Sequence, residues 1–375
     1  MTTEVGAKRN LRNSLWIYLL AASFLTYYAV MIYAELFQPG RTGIDFEFSN
    51  GSLNITAVDL RSPAGRAGLV VGDKLLRVDQ RFIRTWEDWR HFLVIRQTHR
   101  EYRFGIERAG QELDVPVVLG RQADDPLMRL ERKRFVQAFL LLLSIILVCY
   151  QPGECVTRVG ALLLAAIGTA PLFPSTEMIA VWRGLPSLAG LLLWIPQISH
   201  LLLLPIFFTF FALFPKAIFQ KTWGWSVVWA PALMVAGIWA PHIYAHVYRP
   251  PVAEEVPGWM RLVLGAAVLI YCGGGLIALL LNYRSLPDAQ DRLRLRVFVL
   301  GAIIGLTPVI LFLTAIFWGT LTQSPLVWFF VSEGYRHLLV GLFLAFPLSL
   351  IYAVVRHRVF DIPNQITINP MNRDL

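Results

Sequence analysis

The chain has 375 residues, 56% of them hydrophobic and 16% charged, and a formal net charge of +9. A mean hydropathy of +0.54 excludes an ordinary soluble protein and predicts an integral membrane protein. The excess Lys and Arg residues lie mainly in short loops that flank apolar runs, which indicates membrane topology rather than binding to nucleic acid. The cysteines Cys149, Cys155 and Cys272 lie in or beside apolar runs, so we expect neither a disulfide framework nor a zinc site.

The first apolar run predicts a retained membrane anchor. It follows a basic tail, is uncharged from Asn13 to Ala34, and is long enough to span a bilayer, which takes about 20 apolar residues. A cleaved signal peptide is the alternative, but the run is longer than the usual apolar core of such a peptide and no small-residue cleavage site precedes Glu35. We therefore predict that residues 1–37 form a cytoplasmic tail and a transmembrane helix.

The next segment, residues 41–121, is the only long stretch that reads as able to fold in water. A Pro/Gly turn and a short Ala-containing stretch begin at Ser62, and Gly72-Asp73 precede an alternating strand that ends at Val78. The other predicted elements are strands at Ile55–Asp59, Tyr102–Glu107 and Glu112–Leu119 and a helix at Thr85–Gln97. This order of elements resembles a bacterial PDZ domain. The resemblance implies a small α+β domain outside the cytoplasm, inserted between membrane helices 1 and 2.

The resemblance also implies a peptide-binding site. In PDZ domains, the C-terminus of a polypeptide lies as an extra strand between the edge of the first strand and the helix, and loop amides hold its carboxylate. Carried over by position, the carboxylate loop and the groove are Thr42, Gly43, Ile44, Asp45, Phe46, Trp86, Trp89 and Leu93. A glycine lets the backbone approach an anion closely, so we expect a bulky residue at Gly43 to abolish peptide binding without preventing folding. The alternative is a PDZ module that has lost peptide capture and serves as a docking or dimerisation surface.

A bundle of seven further membrane helices is predicted within residues 135–358, after a charged connector at 122–134. The predicted spans are 135–150, 159–173, 187–214, a fifth helix that runs to about 244, 259–281, 297–319 and 337–355, and a cytoplasmic tail follows at 359–375. Pro196 and Pro205 should kink the helix at 187–214. With both termini in the cytoplasm, most basic loops are cytoplasmic, as the positive-inside rule requires.

Two later stretches resemble the membrane region of bacterial signalling proteins. The basic loop and helix from Tyr283 to Pro308 and the exit sequence from Phe346 to Ile362 resemble the input region of PDZ-bearing sensor histidine kinases and of related membrane-anchored serine phosphatases. In those families a catalytic domain follows the exit helix. Because only Pro363 to Leu375 follow here, we expect no enzymatic activity in this sequence, and the input half of a kinase or phosphatase stays an alternative.

One residue inside the predicted spans is a candidate for chemistry. The His-Glu-x-x-His pair of zinc proteases and the Gly-x-Ser-x-Gly motif of serine hydrolases are both absent. His200 lies near the centre of the helix at 187–214, and an ionisable group at that depth is a functional-site hypothesis. The alternative is a neutral histidine bonded to a carbonyl that Pro196 or Pro205 leaves free.

Together these observations predict a non-enzymatic sensor or adaptor in a bacterial cytoplasmic membrane. Its PDZ-like domain recognises a polypeptide outside the membrane, and its helices pass the change to a cytoplasmic signalling partner. The lipid bilayer is the other expected partner, and we expect no cofactor, metal or nucleic acid; a homodimer stays open. The runner-up from another class is a transporter-like helical bundle.

Overall fold

The computed structural model describes most of the chain. The described residues are 2–37, 42–49, 52–97, 99–119, 132–150, 154–170, 174–248, 258–286, 289–322 and 332–357. The predicted tail at 359–375 and all but the last three residues of the predicted connector at 122–134 lie outside them.

A long helix and an antiparallel sheet form the first third of the chain. The elements are α1 (Thr2–Phe37), β1 (Ile44–Ser49), β2 (Ser52–Val58), α2 (Pro63–Arg66), β3 (Lys74–Val78), β4 (Arg81–Phe82), α3 (Trp86–Ile95), β5 (Glu101–Arg108) and β6 (Gln111–Val118). The strand order is β1-β2-β3-β5-β6, with β4 paired to β3. An antiparallel sheet between the first helix and the later helices is therefore confirmed, although the strand ends differ by a few residues from those predicted.

Alternation along the strands builds the core of this sheet domain. Tyr102, Phe104 and Ile106 on β5 are buried, because successive side chains of a strand point to opposite faces and these three share the face toward α3. They pack against Trp89 and Phe92 of α3, whose rings contact the aromatic rings of β5. The sheet domain thus has a hydrophobic core of its own.

The rest of the described chain is helical. Its elements are α4 (Arg132–Tyr150), α5 (Cys155–Thr169), α6 (Thr176–Gly184), α7 (Ser187–Leu192), α8 (Trp194–Leu201), α9 (Leu203–Leu213), α10 (Thr222–Tyr248), α11 (Gly258–Val268), a π-helical turn (Leu269–Gly273), α12 (Gly274–Ser285), α13 (Ala289–Thr322), α14 (Glu333–Phe343) and α15 (Ala345–His357). Within the described residues, four stretches are long and apolar enough to cross a membrane: Trp16–Phe37, Thr222–Tyr248, Leu262–Ser285 and Ala289–Ala315. Counting the bent pair Ser187–Leu201 and Leu203–Leu213 as one span makes five. By length and composition the chain is a multi-pass membrane protein.

The helix predicted at 187–214 is broken rather than continuous. The structure divides it into α7, α8 and α9, with a bend of 62° between α8 and α9. Proline lacks the N–H that bonds to the carbonyl four residues earlier, so Pro196 frees Leu192 O and Pro205 frees Leu201 O. The hydroxyl of Ser23 on α1 donates to Leu192 O at 3.5 Å. The kink predicted at Pro205 is therefore confirmed. Near Pro196 the helix is interrupted at Leu193, and there a neighbouring helix satisfies the freed carbonyl.

Small residues bring the last helices together. Gly301 and Gly305 lie one turn apart on α13, and a Cβ atom added at Gly301 would lie 2.3 Å from Cβ of Ser349 on α15. At Gly305 an added Cβ would lie 2.9 Å from Cβ of Phe346. Close backbone approach at small residues is a common mode of helix packing in membranes. This packing places Phe346 in the core of the bundle, where it is fully buried.

Candidate functional site

The proposed peptide groove lies where β1 approaches α3. Among the described strands, β1 pairs only with β2, so its other edge carries no strand. α3 begins directly after Thr85, the first residue of the predicted helix, because the side chain of Thr85 accepts from Asp88 N at 3.2 Å while the carboxylate of Asp88 accepts from Thr85 N at 3.0 Å. This capping box fixes the start of the helix. The ring of Phe46 on β1 contacts the ring of Trp89 on α3, with centroids 5.1 Å apart.

The predicted groove residues fall into two groups. Trp89 is only 3% exposed and belongs to the core of the sheet domain, so it closes the floor of the groove rather than standing open. Leu93 is half-buried one turn further on the same face of α3. Phe46 is half-buried on the strand opposite. Trp86 begins α3, but its side chain lies outside what the structure describes.

The predicted carboxylate loop offers backbone rather than side chains. Thr42 is 4% exposed and Ile44 is 7% exposed, so neither side chain is open to a ligand, whereas Asp45 is exposed. The carbonyl of Thr42 accepts from Ala64 N at 3.1 Å, which ties the loop to α2. A ligand carboxylate would meet this loop through its amides, close to the negative charge of Asp45.

Gly43 has a structural role that the sequence alone does not reveal. Its φ is +80°, a left-handed conformation that side-chain-bearing residues rarely adopt. A Cβ atom added there would lie 1.9 Å from Cβ of Ser62, and the carbonyl of Gly43 accepts from Asp59 N at 2.9 Å. The structure therefore corrects the expectation that a bulky residue at this position leaves folding intact, because the strain and the clash fall on the fold itself.

The helix that lines the groove is also the helix that joins the sheet domain to the bundle. α3 packs against α6, and the guanidinium of Arg96, at the C-terminal end of α3, donates to Glu177 Oε1 at 3.0 Å. The side chain of Arg96 is only 4% exposed, and that of Glu177 is 32% exposed. An ion pair with one buried partner holds its two elements more firmly than an exposed pair does.

Beyond α6, contacts lead into the membrane helices. Trp182 on α6 meets the ring of Tyr27 on α1, with centroids 6.2 Å apart. Tyr27 is fully buried, and its hydroxyl donates to Gln197 Oε1 at 3.0 Å. Its ring also packs edge-on against His200, with centroids 5.5 Å apart. A polar cluster therefore lies on α8, directly before the break at Leu202.

His200 belongs to this cluster, but its partner is not a freed carbonyl. Its Nε2 lies 2.8 Å from the hydroxyl oxygen of Thr169, and that hydroxyl donates to Ala165 O at 2.8 Å. Thr169 therefore accepts from His200, which places the imidazole proton on Nε2 and leaves Nδ1 as an acceptor. Within the described residues Nδ1 has no hydrogen-bond partner. A cavity of about 60 Å³ adjoins the ring, with room for water rather than for a larger ligand.

Metal chemistry has no support in the described part of the chain, where no three His, Cys, Asp or Glu residues come together as a metal site. Sequence reasoning missed the pair Arg96–Glu177 and the partners of Tyr27. Gln197 and Thr169 were visible as polar residues in apolar runs, a signal that could have marked them as partners of Tyr27 and His200. The ion pair joins residues 81 positions apart and leaves no local signal.

Comparison of the chain with protein-family models, curated proteins and solved structures finds no match.

Proposed function

We propose that this protein is a membrane sensor or adaptor of a bacterial cytoplasmic membrane. Its PDZ-like domain recognises a polypeptide outside the membrane, and the helical bundle passes the bound state to a cytoplasmic partner. The free edge of β1 beside α3 supports this assignment, because a peptide that adds to a sheet needs an unpaired edge and a neighbouring groove for its side chains.

The observation that carries the proposal is the double role of α3. One face of this helix meets β1 through Trp89 and Phe46, and its C-terminal end is held on α6 by Arg96 and Glu177. A peptide seated between β1 and α3 must contact the helix that docks the domain on the bundle. Binding there can therefore change how α3 packs against α6, which is the differential interaction that a switch requires.

The bundle offers a route for such a change. α6 contacts α1 through Trp182 and Tyr27, and Tyr27 bonds to Gln197 just before the bend of 62°. A bent helix pair at a proline has fewer backbone bonds to break than a continuous helix, so it accommodates small shifts at low energetic cost. The polar cluster is thus the place where movement of α6 would reach the membrane helices.

The proposed sensor has eight membrane crossings, which are the five spans named above and three shorter apolar helices. Arg134, near the start of α4, bonds to Glu35 at the outer end of α1, with Nε and Oε2 2.6 Å apart. The guanidinium of Arg158, near the start of α5, lies over the ring of Trp16 at the other end of the same span, 5.7 Å from its centroid. α4 therefore covers the depth that α1 covers, which supports a full crossing by α4 and a return by α5.

Peptide titration of the full-length chain in lipid nanodiscs tests the proposal. The probe is a pool of peptides with random C-terminal residues, offered with free or amidated C-termini. We expect a subset of free peptides to bind and amidation to weaken them by about tenfold or more, since hydrogen bonds to a charged group contribute roughly 1.5–3 kcal/mol. Leu93→Lys should abolish binding because it places a charge in the groove.

Ile95→Lys is the matched control. Ile95 is 43% exposed on the same helix but lines a different groove, so this variant should bind peptide as the wild type does. If amidated peptides bind as tightly as free ones, carboxylate capture is excluded. If neither form binds, the sheet domain serves as a docking or dimerisation surface instead.

A further inference from the structure

A second groove lies on the other side of α3, at the ends of β3, β4 and β5. Its volume is about 1290 Å³. Asp88, His91 and Ile95 of α3 line this groove, whereas Trp89 faces β1. The two grooves share one helix as a wall but use different faces of it, so the second groove is separate from the proposed peptide site.

The wall of this groove carries an excess of positive charge. Two of its four arginines are paired with aspartates, Arg77 with Asp114 at 2.9 Å and Arg100 with Asp79 at 3.3 Å. Arg81 and Arg103 are exposed and form no ion pair within the described residues. The guanidinium groups of Arg81 and Arg103 are therefore unused donors that suit an anion.

An exposed aromatic side chain lies beside these charges. Phe82 on β4 is 59% exposed, and the guanidinium of Arg84 lies over its ring, 5.2 Å from the centroid. Ile95 on the opposite wall is 43% exposed. Apolar side chains interleaved with arginines are typical of surfaces that lie at the boundary between lipid headgroups and water.

The position of α3 brings this end of the domain to the membrane. α3 runs antiparallel to α6. Arg96, at the C-terminal end of α3, bonds to Glu177 near the start of α6. Burial lowers the pKa of His91, in the middle of α3, and the charges of Arg81 and of Arg183, near the end of α6, lower it further, so His91 lies near the end of α6. α6 leads inward from Glu177 toward Tyr27, which lies within the span Trp16–Phe37. The N-terminal end of α3 and the adjoining β4 thus point toward the bilayer.

We propose that the groove formed by Arg81, Phe82 and Arg103 binds the headgroup of an anionic phospholipid in the leaflet on its side of the membrane. The guanidinium groups of the two arginines bond to phosphate oxygens, a geometry for which arginine is well suited. Phe82 enters the headgroup region and holds the sheet domain against the bilayer. This lipid contact is independent of peptide capture and would persist if the peptide site were empty.

Photocrosslinking of the full-length chain tests the proposal. Phe82 is replaced by photoreactive benzoylphenylalanine, and the protein is placed in nanodiscs of mixed phosphatidylglycerol and phosphatidylcholine. We expect lipid adducts at position 82, with phosphatidylglycerol enriched over its share of the bilayer. Because each arginine near an anionic surface contributes roughly a fivefold gain, the double variant Arg81→Glu with Arg103→Glu should lower this enrichment about tenfold or more.

Two controls separate the groove from general surface effects. Arg66→Glu changes an exposed arginine on α2, outside the groove, and should leave the enrichment unchanged. The same photoreactive residue at Leu60, which is 82% exposed in the turn before α2, should give no lipid adduct. All the changed side chains are exposed, so the variants should fold, and retained hydrogen-exchange protection of β5 checks this.

Four outcomes would overturn the proposal. Absence of lipid adducts at position 82 in a folded protein would show that the groove faces away from the bilayer. Adducts without enrichment of phosphatidylglycerol would remove the role of the arginines. Adducts to a polypeptide instead of lipid would assign the groove to a protein partner, and loss of the enrichment on adding inorganic phosphate would assign it to a soluble anion.

Discussion

Gly43 and Gly68 share a left-handed backbone but differ in their surroundings. Their φ angles are +80° and +85°, yet an added Cβ at Gly43 would lie 1.9 Å from Ser62, whereas nothing lies within 4 Å of one at Gly68. Gly68→Ala should therefore cost only the backbone conformation, about 1–2 kcal/mol. Gly43→Ala should cost that and a further 1–3 kcal/mol or so for the overlap. Hydrogen-exchange protection of β1 and β2 in the full-length protein measures both.

Comparing Gly43→Ala with Gly68→Ala shows whether Gly43 is needed for the fold or only for binding a ligand. If Gly43→Ala leaves β1 and β2 as protected as in Gly68→Ala, the close contact with Ser62 does not constrain the fold. In that case loss of peptide binding at this position would report on the ligand alone.

Asp73 is a buried carboxylate on which several parts of the sheet domain converge. It is 1% exposed, and its oxygens accept from Arg108 at 2.7 Å and from Val70 N at 2.9 Å. Burial alone would raise its pKa, but the bonds from Arg108 and Val70 outweigh burial and hold the pKa below its usual value. A carboxyl with a lowered native pKa stabilises the fold above about pH 4 and loses this contribution as the pH falls through the native pKa.

Two results follow for Asp73. Asp73→Asn should lower the free energy of unfolding of the sheet domain by about 2–4 kcal/mol, because Arg108 loses its charged partner. The free energy of unfolding should also fall less as the pH drops below about 4, because an asparagine at this position takes up no proton. Hydrogen exchange of β3 and β5, corrected for intrinsic rates across pH, measures both effects. Asp114→Asn, which breaks an exposed pair, is the control and should cost about 0–1 kcal/mol.

At the scale of elements, the contact between α3 and α6 decides whether the sheet domain and the bundle act together. A double-mutant cycle of Arg96→Ala and Glu177→Ala isolates their interaction from the other contacts of each residue. We expect a coupling free energy of about 1–2 kcal/mol, read from exchange protection of α3 and α6, since one partner is buried and the other is about a third exposed. The exposed pair Lys74–Glu107 should show about 0–0.5 kcal/mol in the same cycle.

Additive effects of Arg96→Ala and Glu177→Ala would mean that the ion pair does not join the two helices. Peptide binding by the double variant Arg96→Ala with Glu177→Ala is a second test of the relay. If the proposed relay holds, affinity should persist while the change in α6 protection on binding is lost.

Local signals in the sequence predicted the elements better than their contacts. Thr85 caps α3 at the predicted start of the helix, and Pro205 lies at an expected kink, because capping and proline geometry involve residues only a few positions apart. The exposure of Trp89 was not predictable in this way. An aromatic residue at helical spacing is more often a core residue than a groove wall, and the packing of β5 against α3 places Trp89 in the core.

Long-range partners were out of reach for the same physical reason. Arg96 and Glu177 are separated along the chain by α4 and α5, so neither spacing nor charge pattern connects them. The hydroxyl partner of His200 is another case, since Thr169 lies on a different helix. The π-helical turn at Leu269–Gly273 carries no composition that distinguishes it from the α-helix on either side.

For the whole molecule, the arrangement of spans predicts where each end lies. α1 is continuous from Thr2 to Phe37, so the sheet domain and the N-terminus are on opposite sides if its span crosses the membrane. A reporter fused after Arg121 should be active only outside the cytoplasm, and one fused after Arg358 only inside, because eight crossings return the chain to the cytoplasm. Activity of both fusions on the same side would contradict eight crossings and would require an even number of crossings between the two fusion points.

α3 is short and stiff, and this gives it the mechanics of a lever. Its ten residues make a rod of about 15 Å, since an α-helix rises roughly 1.5 Å per residue. A tilt of about 10° at one end moves the other end by roughly 2.6 Å, which exceeds the helix shifts of about 1–2 Å that switch subunit interfaces. The part of α3 that carries Trp89 packs against β1, and the end at Arg96 contacts α6. A tilt of α3 that leaves the sheet intact can therefore shift the contact between the sheet domain and the helical bundle.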